Sequence, residues 1–229
     1  MFGFLMESSG FLLYAAALAL ASLALVQSIA AGGIGILAFA SARMARRRLR
    51  PQELAGVLVS IVGLAALAVS LVAGSREGGN GSTGTIMLWL GATAAAAVIV
   101  LALGRAANRA AAYGIAGGLF FSLGDVSTKV ATQGGSRAAF AVTLVIGYGL
   151  GTALLQEGYQ SGGALTVAGL ATLLTNAIPI AAGTVVLDEP VPHGAYGVLR
   201  VLAFGAVTAG GVLLARPATS PSPAAPVTG

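Results

Sequence analysis

Asp125 and Lys129 are ionisable side chains set four apart inside an apolar stretch, which makes them the residues of this chain best placed to do chemistry. Charged groups within a membrane are costly and mark ion paths, proton relays or specific partners. Gly114, Gly118, Ser122, Asp125 and Lys129 follow one another at spacings of four, four, three and four, which puts all five on one narrow stripe of a helix. Leu119, Phe120, Leu123 and Val126 point elsewhere. Two readings of the stripe stand. It lines a polar path through a helix bundle, or Asp125 and Lys129 form an i, i+4 pair near the outer end of the helix while the lysine reaches for water.

A second group surrounds Pro179. Proline removes a helical hydrogen bond and clashes with the carbonyl four residues earlier, here that of Thr175, so the sequence predicts a kink or opening beside Asn176. Gly162, Gly169, Thr172, Asn176 and Gly183 share a face. Interrupted helices recur at transporter binding sites, and they also occur as simple packing kinks. Arg200 lies about one turn inside its apolar run, at a depth similar to that of Asp125. It either pairs with Asp125 or reaches toward Asp188 or Glu189 in the preceding loop. Ser122, Asp125, Lys129, Thr172, Asn176, Pro179 and Arg200 are therefore the candidate lining residues of a substrate path.

The rest of the composition limits what chemistry these residues can join. The chain has no cysteine and one histidine, His193, which excludes disulfides, thiolate chemistry and His-based metal clusters. No nucleotide-binding loop, zinc motif or catalytic triad can be assembled, so the expectation is a protein that is not an enzyme and carries no cofactor or metal. A net charge of +5 could point to nucleic acid, but five of the twelve basic residues fall in one run and no basic, aromatic-interleaved surface follows.

Hydrophobic residues make up 57% of the 229 and charged ones 8%, with a mean hydropathy of +0.92. A soluble fold cannot hide that much apolar surface, so the elements that position the candidate residues are expected to be membrane-spanning helices. From Ser8 to Ala42 runs a stretch of 35 uncharged residues, enough for two short spans near 8–25 and 27–42, with Gln27 and Ser28 as the polar break; one steep helix is the alternative. Pro51 and Glu53 suit a first helical turn, and Leu54 to Ala73 makes a third span. Further spans are expected over Thr85 to Leu103, Ala110 to Val130, Ala138 to Leu155, Ala164 to Leu187 and Tyr196 to Ala215. The fold class is all-α: a polytopic transmembrane bundle of about eight spans.

Orientation follows from the arginine run Arg43, Arg46, Arg47, Arg48 and Arg50, because short loops rich in Lys and Arg stay cytoplasmic. With alternating spans, Arg105, Arg109 and Arg216 join that side, making eight cations inside against Arg76, Lys129 and Arg137 outside. Both termini then face the cytoplasm, across the plasma membrane. The glycine-rich segment 75–84 reads as an external linker between an N-terminal half, 1–74, and a C-terminal half, 85–216; the proline-rich 217–229 reads as a disordered tail. The N-terminus has no basic residue ahead of its apolar run and is expected to be mature chain.

These stretches also carry a resemblance. ALALASLALVQSIAAGGIGILAFASARMARRRLRPQELAGVLVSIVGLAAL, from Ala17, resembles the third to fifth helices of the drug/metabolite transporter superfamily, the EamA-like group, including bacterial relatives of NIPA-type magnesium transporters. GGLFFSLGDVSTKVAT, from Gly117, is similar to that family's seventh helix, and Gly162 to Ala215, with its Glu189-Pro190 turn, to the ninth and tenth. The resemblance implies two five-helix inverted repeats around a central cavity, of which this chain has three helices and five. It implies a secondary transporter of a small metabolite, amine, drug-like solute or divalent cation. Because the first two helices of the pattern are missing, the alternative is a non-transporting membrane subunit or truncated remnant. The lipid bilayer is the expected surround, and a homo-oligomer or other partner would supply the missing helices.

Overall fold

The structure, a computed structural model, describes residues 2–44, 51–70, 81–104, 106–161, 164–189 and 193–215. Most of the arginine run, most of the glycine-rich linker and the proline-rich tail lie outside the described residues. Eight α-helices occupy the rest: α1 (Phe2–Leu20), α2 (Leu23–Met44), α3 (Pro51–Ser70), α4 (Thr83–Gly104), α5 (Arg109–Ala131), α6 (Ala141–Gln160), α7 (Ala164–Val185) and α8 (Ala195–Ala215), with a 3-10 turn at Gly135–Phe140 before α6. No strand occurs among the described residues. At 1.5 Å per residue the helices are about 30 Å long, close to the thickness of a bilayer core. Thr83–Gly104, Gly135–Gln160 and Thr166–Val185 are long and apolar enough to cross a membrane, and α4 turns Met87, Leu88, Val98, Ile99 and Leu103 outward.

Local chemistry starts and stops these helices. Asn108 accepts a 3.0 Å hydrogen bond from the Ala111 N–H and opens α5, and Ser82 accepts one of 3.1 Å from Thr85 to open α4. Pro51 stands at the first position of α3.

Helix α5 is the axis of the C-terminal half and is buried on nearly every side. Small residues let its neighbours approach: a methyl added at Gly118 would lie 2.9 Å from the Ala171 carbonyl of α7, and one at Gly147 would lie 2.7 Å from the Gly124 nitrogen of α5. In α3 and α8, Gly63 packs on Val207 and Gly210 on Ser60. The residue pairings show direction as well as proximity. Gly114 and Gly118 meet Val167 and Ala171, so α5 and α7 are parallel, whereas Gly63 and Gly210 run α3 and α8 antiparallel.

The described helices therefore alternate in direction, and the side chains that cross between them at one end of the bundle agree. Lys129 reaches the end of α1, Arg200 the end of α3, Arg137 the Gly81 carbonyl before α4, and Glu189 the start of α2. All of these ends lie on one side.

The chain turns between α1 and α2 at Ala21–Ser22, whereas the polar pair Gln27–Ser28 marks a break in the sequence. Ser28 donates to the Ala24 carbonyl within the first turns of α2, and Gln27 is buried against α1. The turn forms where Lys129 and Glu189 can cap it, and both come from more than a hundred positions away. The remaining helices fall within a few residues of their expected positions.

Candidate functional site

Asp125 sits on α5 with 3% of its surface exposed, where α1, α2 and α6 converge. Its Oδ1 accepts two hydrogen bonds, 2.8 Å from the Tyr14 hydroxyl of α1 and 2.6 Å from the Tyr148 hydroxyl of α6. Gln27 of α2 completes the chain by donating its amide to Tyr14 Oη at 2.7 Å. Oδ2 is buried and, among the described residues, has no hydrogen-bond partner, the Gln27 amide that also bears on this carboxylate making its bond to Tyr14 instead. Ser60, Trp89, Ser127 and Thr208 also carry such buried atoms, but Asp125 is the one ionisable side chain among them, and there the cost exceeds the about 1–3 kcal/mol of a neutral group.

The neighbouring residue makes this geometry accessible. Gly124 has no side chain, and a methyl there would stand 3.1 Å from the Tyr148 ring, which lies flat against the α5 backbone. Phe11 meets the same ring edge-on at 5.8 Å and Phe121 meets it tilted at 5.8 Å. Tyr148 is thereby held with its hydroxyl on the acid and its ring between two aromatic neighbours.

One turn further along α5, Lys129 is also 3% exposed. Its ammonium donates to the carbonyls of Leu18, at 2.6 Å, and Ala21, at 2.7 Å, which are orphan acceptors at the end of α1. A cation belongs at this negative end of the helix dipole. Glu189 does the converse at the start of α2, where its two oxygens accept from the Leu23 N–H at 2.5 Å and the Ala24 N–H at 3.1 Å. The path of the chain after α7 aims that carboxylate. Asp188 adopts a left-handed φ of 52°, and the Glu189 N–H returns to the Gly183 carbonyl at 2.9 Å. A methyl at Gly183 would lie 2.4 Å from Glu189 Oε2, so any larger residue there would push the carboxylate away from its place at the start of α2.

The expected pairings are corrected by these contacts. Asp125 and Lys129 share a helix face, but the acid binds phenols and the lysine binds carbonyls of α1, because both groups are too deep for water to satisfy them. Arg200 pairs with neither Asp125 nor the acids of the preceding loop: its Nε lies 3.3 Å from Ser70 Oγ and its Nη2 donates to the Ser70 carbonyl at 3.2 Å, capping α3. Ser122 is buried and donates to the Leu119 carbonyl of its own helix at 3.0 Å, while Gly114 and Gly118 form the packing seam with α7.

On α7, Asn176 donates to the Thr172 carbonyl at 2.7 Å, Thr172 itself is exposed and Pro179 is fully buried within a continuous helix. None of these three shares a hydrogen bond with Asp125. The structure thus keeps Asp125 of the sequence candidates at this site and adds Tyr14, Tyr148 and Gln27. The signal for the tyrosines is slight: each is the single phenol of an uncharged run. Among the described residues no group of three or more His, Cys, Asp or Glu could hold a metal ion.

Compared with known protein families, curated proteins and solved structures, the chain matches none.

The two end caps give a direct prediction. Glu189→Gln keeps one acceptor and removes the charge, and Lys129→Met leaves the Leu18 and Ala21 carbonyls bare. Each should lower unfolding free energy in detergent by about 1–3 kcal/mol. Since both hold the same turn, the double variant should lose less than the sum. Strict additivity, measured by denaturant titration, would show that the caps act independently.

Proposed function

We propose that this chain is a multi-pass membrane protein that moves a small solute, with the Asp125 cluster at the centre of its path. The observation that carries the reading is the partnerless Oδ2 of a buried acid held where four helices meet. Ionisable groups kept at such depth and turned into the bundle mark substrate and ion paths; here two phenols hold one oxygen of the acid and leave the other open to a ligand. A metabolite, an amine or a drug-like solute fits an acid lined by phenols and aromatic rings. A divalent cation fits less well, since Asp125 stands without a second carboxylate among its hydrogen-bonding neighbours.

The eight helices are read as spans, in an incomplete inverted-repeat arrangement of three and five related to the drug/metabolite transporters. Support comes from the antiparallel packing of α3 on α8, the last helices of the two halves. The cationic bias puts the arginine run and both termini in the cytoplasm, so the end of the bundle that carries Lys129, Arg137 and Glu189 faces outward across the plasma membrane.

The second reading is a non-transporting subunit that packs against a partner. It is favoured by α1, which meets α5 and α2 mainly near its C-terminal half and leaves Leu12, Leu13 and Leu20 exposed.

Reconstituted in proteoliposomes and offered a panel of amines, metabolites and drug-like solutes, the protein should accumulate at least one, and Asp125→Asn should cut that uptake at least about tenfold at unchanged folded yield. Unaltered uptake in the variant would remove Asp125 from the path, and no uptake of any solute would favour the subunit reading. Orientation is read separately in this cysteine-free chain. Ser136→Cys should react with an impermeant maleimide on intact cells and Ala106→Cys only after permeabilisation; the reverse pattern would invert the topology.

A further inference from the structure

We propose that Asp125 is a proton-carrying site whose state of protonation sets how firmly α1 is held against α5. The use made of the proton rests on the transport reading above; the site itself rests on geometry. Among the described residues Oδ2 has neither a hydrogen-bond partner nor contact with solvent. The species it can accept without rearrangement is therefore one that needs no volume. Even a water molecule occupies about 30 Å³ of liquid, and an amine or a hydrated ion needs more.

The charges around the acid agree. From α1 it is faced by Tyr14, from α2 by the neutral Gln27 and from α6 by Tyr148. Helices α4 and α7 contain no ionisable residue at all. On α5 itself, Lys129 directs its ammonium to the Leu18 and Ala21 carbonyls, and Glu189, beyond α7, is bound to the start of α2. Among the described residues, then, the acid's bonded neighbours are two phenols, both neutral donors.

A proton arriving from water forms one O–H bond at Oδ2, and its return to water breaks the same bond; no other reactant is needed. The mechanical consequence lies in the two phenol bonds. Donated to a carboxylate they are charge-assisted and roughly twice as strong as bonds to a neutral acid. Helix α6 stays in place when they weaken, because Gly147 and Gly151 seat it closely along α5. Among the described residues helix α1 shows no such seam, Gly10 having nothing within 4 Å of its added methyl. Upstream of its capped end its hydrogen bond to α5 among the described residues is Tyr14 on Asp125, with Phe11 resting edge-on against Tyr148 as a weaker apolar contact, and a proton loosens the stronger tie. Protonation therefore frees the body of α1 while Lys129 keeps its end pinned, a hinge movement that opens the α1 side of the acid.

The test uses the full chain in lipid nanodiscs. Infrared difference spectra across a pH titration should show the carbonyl stretch of a protonated carboxylic acid, lost in Asp125→Asn. Spin labels at Leu13→Cys on α1 and Val145→Cys on α6, both exposed positions, should give a distance distribution that broadens as pH falls. In Asp125→Asn it should be broad at every pH. Tyr14→Phe keeps the acid but cuts the tie, so the infrared band should remain while the distance stops responding to pH; this variant also serves if Asp125→Asn folds poorly. A carbonyl band that survives Asp125→Asn unchanged, or a distance that ignores pH in the otherwise unmodified chain, would overturn the inference. Both signals without solute uptake would leave the proton site standing and remove transport, and uptake without either signal would do the reverse.

Discussion

Helix ends carry orphan N–H and C=O groups, and in an apolar surround they have no water to satisfy them. The turn between α1 and α2 is built on that constraint. Four backbone groups at Leu18, Ala21, Leu23 and Ala24 are met by one ammonium and one carboxylate, each delivered from the other half of the chain. Because Lys129 is four residues from Asp125, the cap that ends α1 also fixes the depth at which Tyr14 meets the acid. The site is thus a by-product of how the chain reverses direction. Arg200 on Ser70 and Arg137 on Gly81 repeat the device for α3 and α4, so most of the buried or half-buried charge at this end of the bundle is spent on backbone rather than on salt bridges.

What remains is the exception. Asp125 caps no helix, and its ties to α1 and α6 are side chain to side chain. Such contacts are few in most proteins and carry specific geometry when they occur in a buried network. The surrounding bundle is assembled by a different interaction: small residues allow backbones to touch at Gly118, Gly147 and Gly210, which holds α5 against α6 and α7 and α3 against α8. Close seams on one side and a helix held chiefly by side-chain hydrogen bonds and an end cap on the other make an uneven structure.

The helices were readable from the sequence because apolar runs separated by Arg, Gly and Pro clusters leave few alternatives; α3 to α8 lie close to where these signals put them. The α1–α2 turn was misplaced, since Ala21 and Ser22 look no different from their neighbours and the groups that stabilise the turn come from Lys129 and Glu189. Partners of ionisable residues failed for the same reason. Helical spacing correctly set Asp125 and Lys129 on one face, but spacing says nothing about which helix that face meets, so Tyr14, Tyr148 and the carbonyls of α1 were invisible. Arg200 shows the converse limit: its depth leaves Asp125 and the acids of the preceding loop equally open as partners, and the group it meets is the Ser70 carbonyl at the end of α3.

The claim on which the account turns is that Tyr14 is bound to an ionised Asp125, and a double-mutant cycle measures that bond directly. Unfolding free energies in detergent near neutral pH for the unmodified chain, Tyr14→Phe, Asp125→Asn and the double variant should give a coupling of about 1.5–3 kcal/mol, as expected for a hydrogen bond to a charged group. A coupling within error of zero would mean that α1 is held by something else, and the central role given to Asp125 would be contradicted.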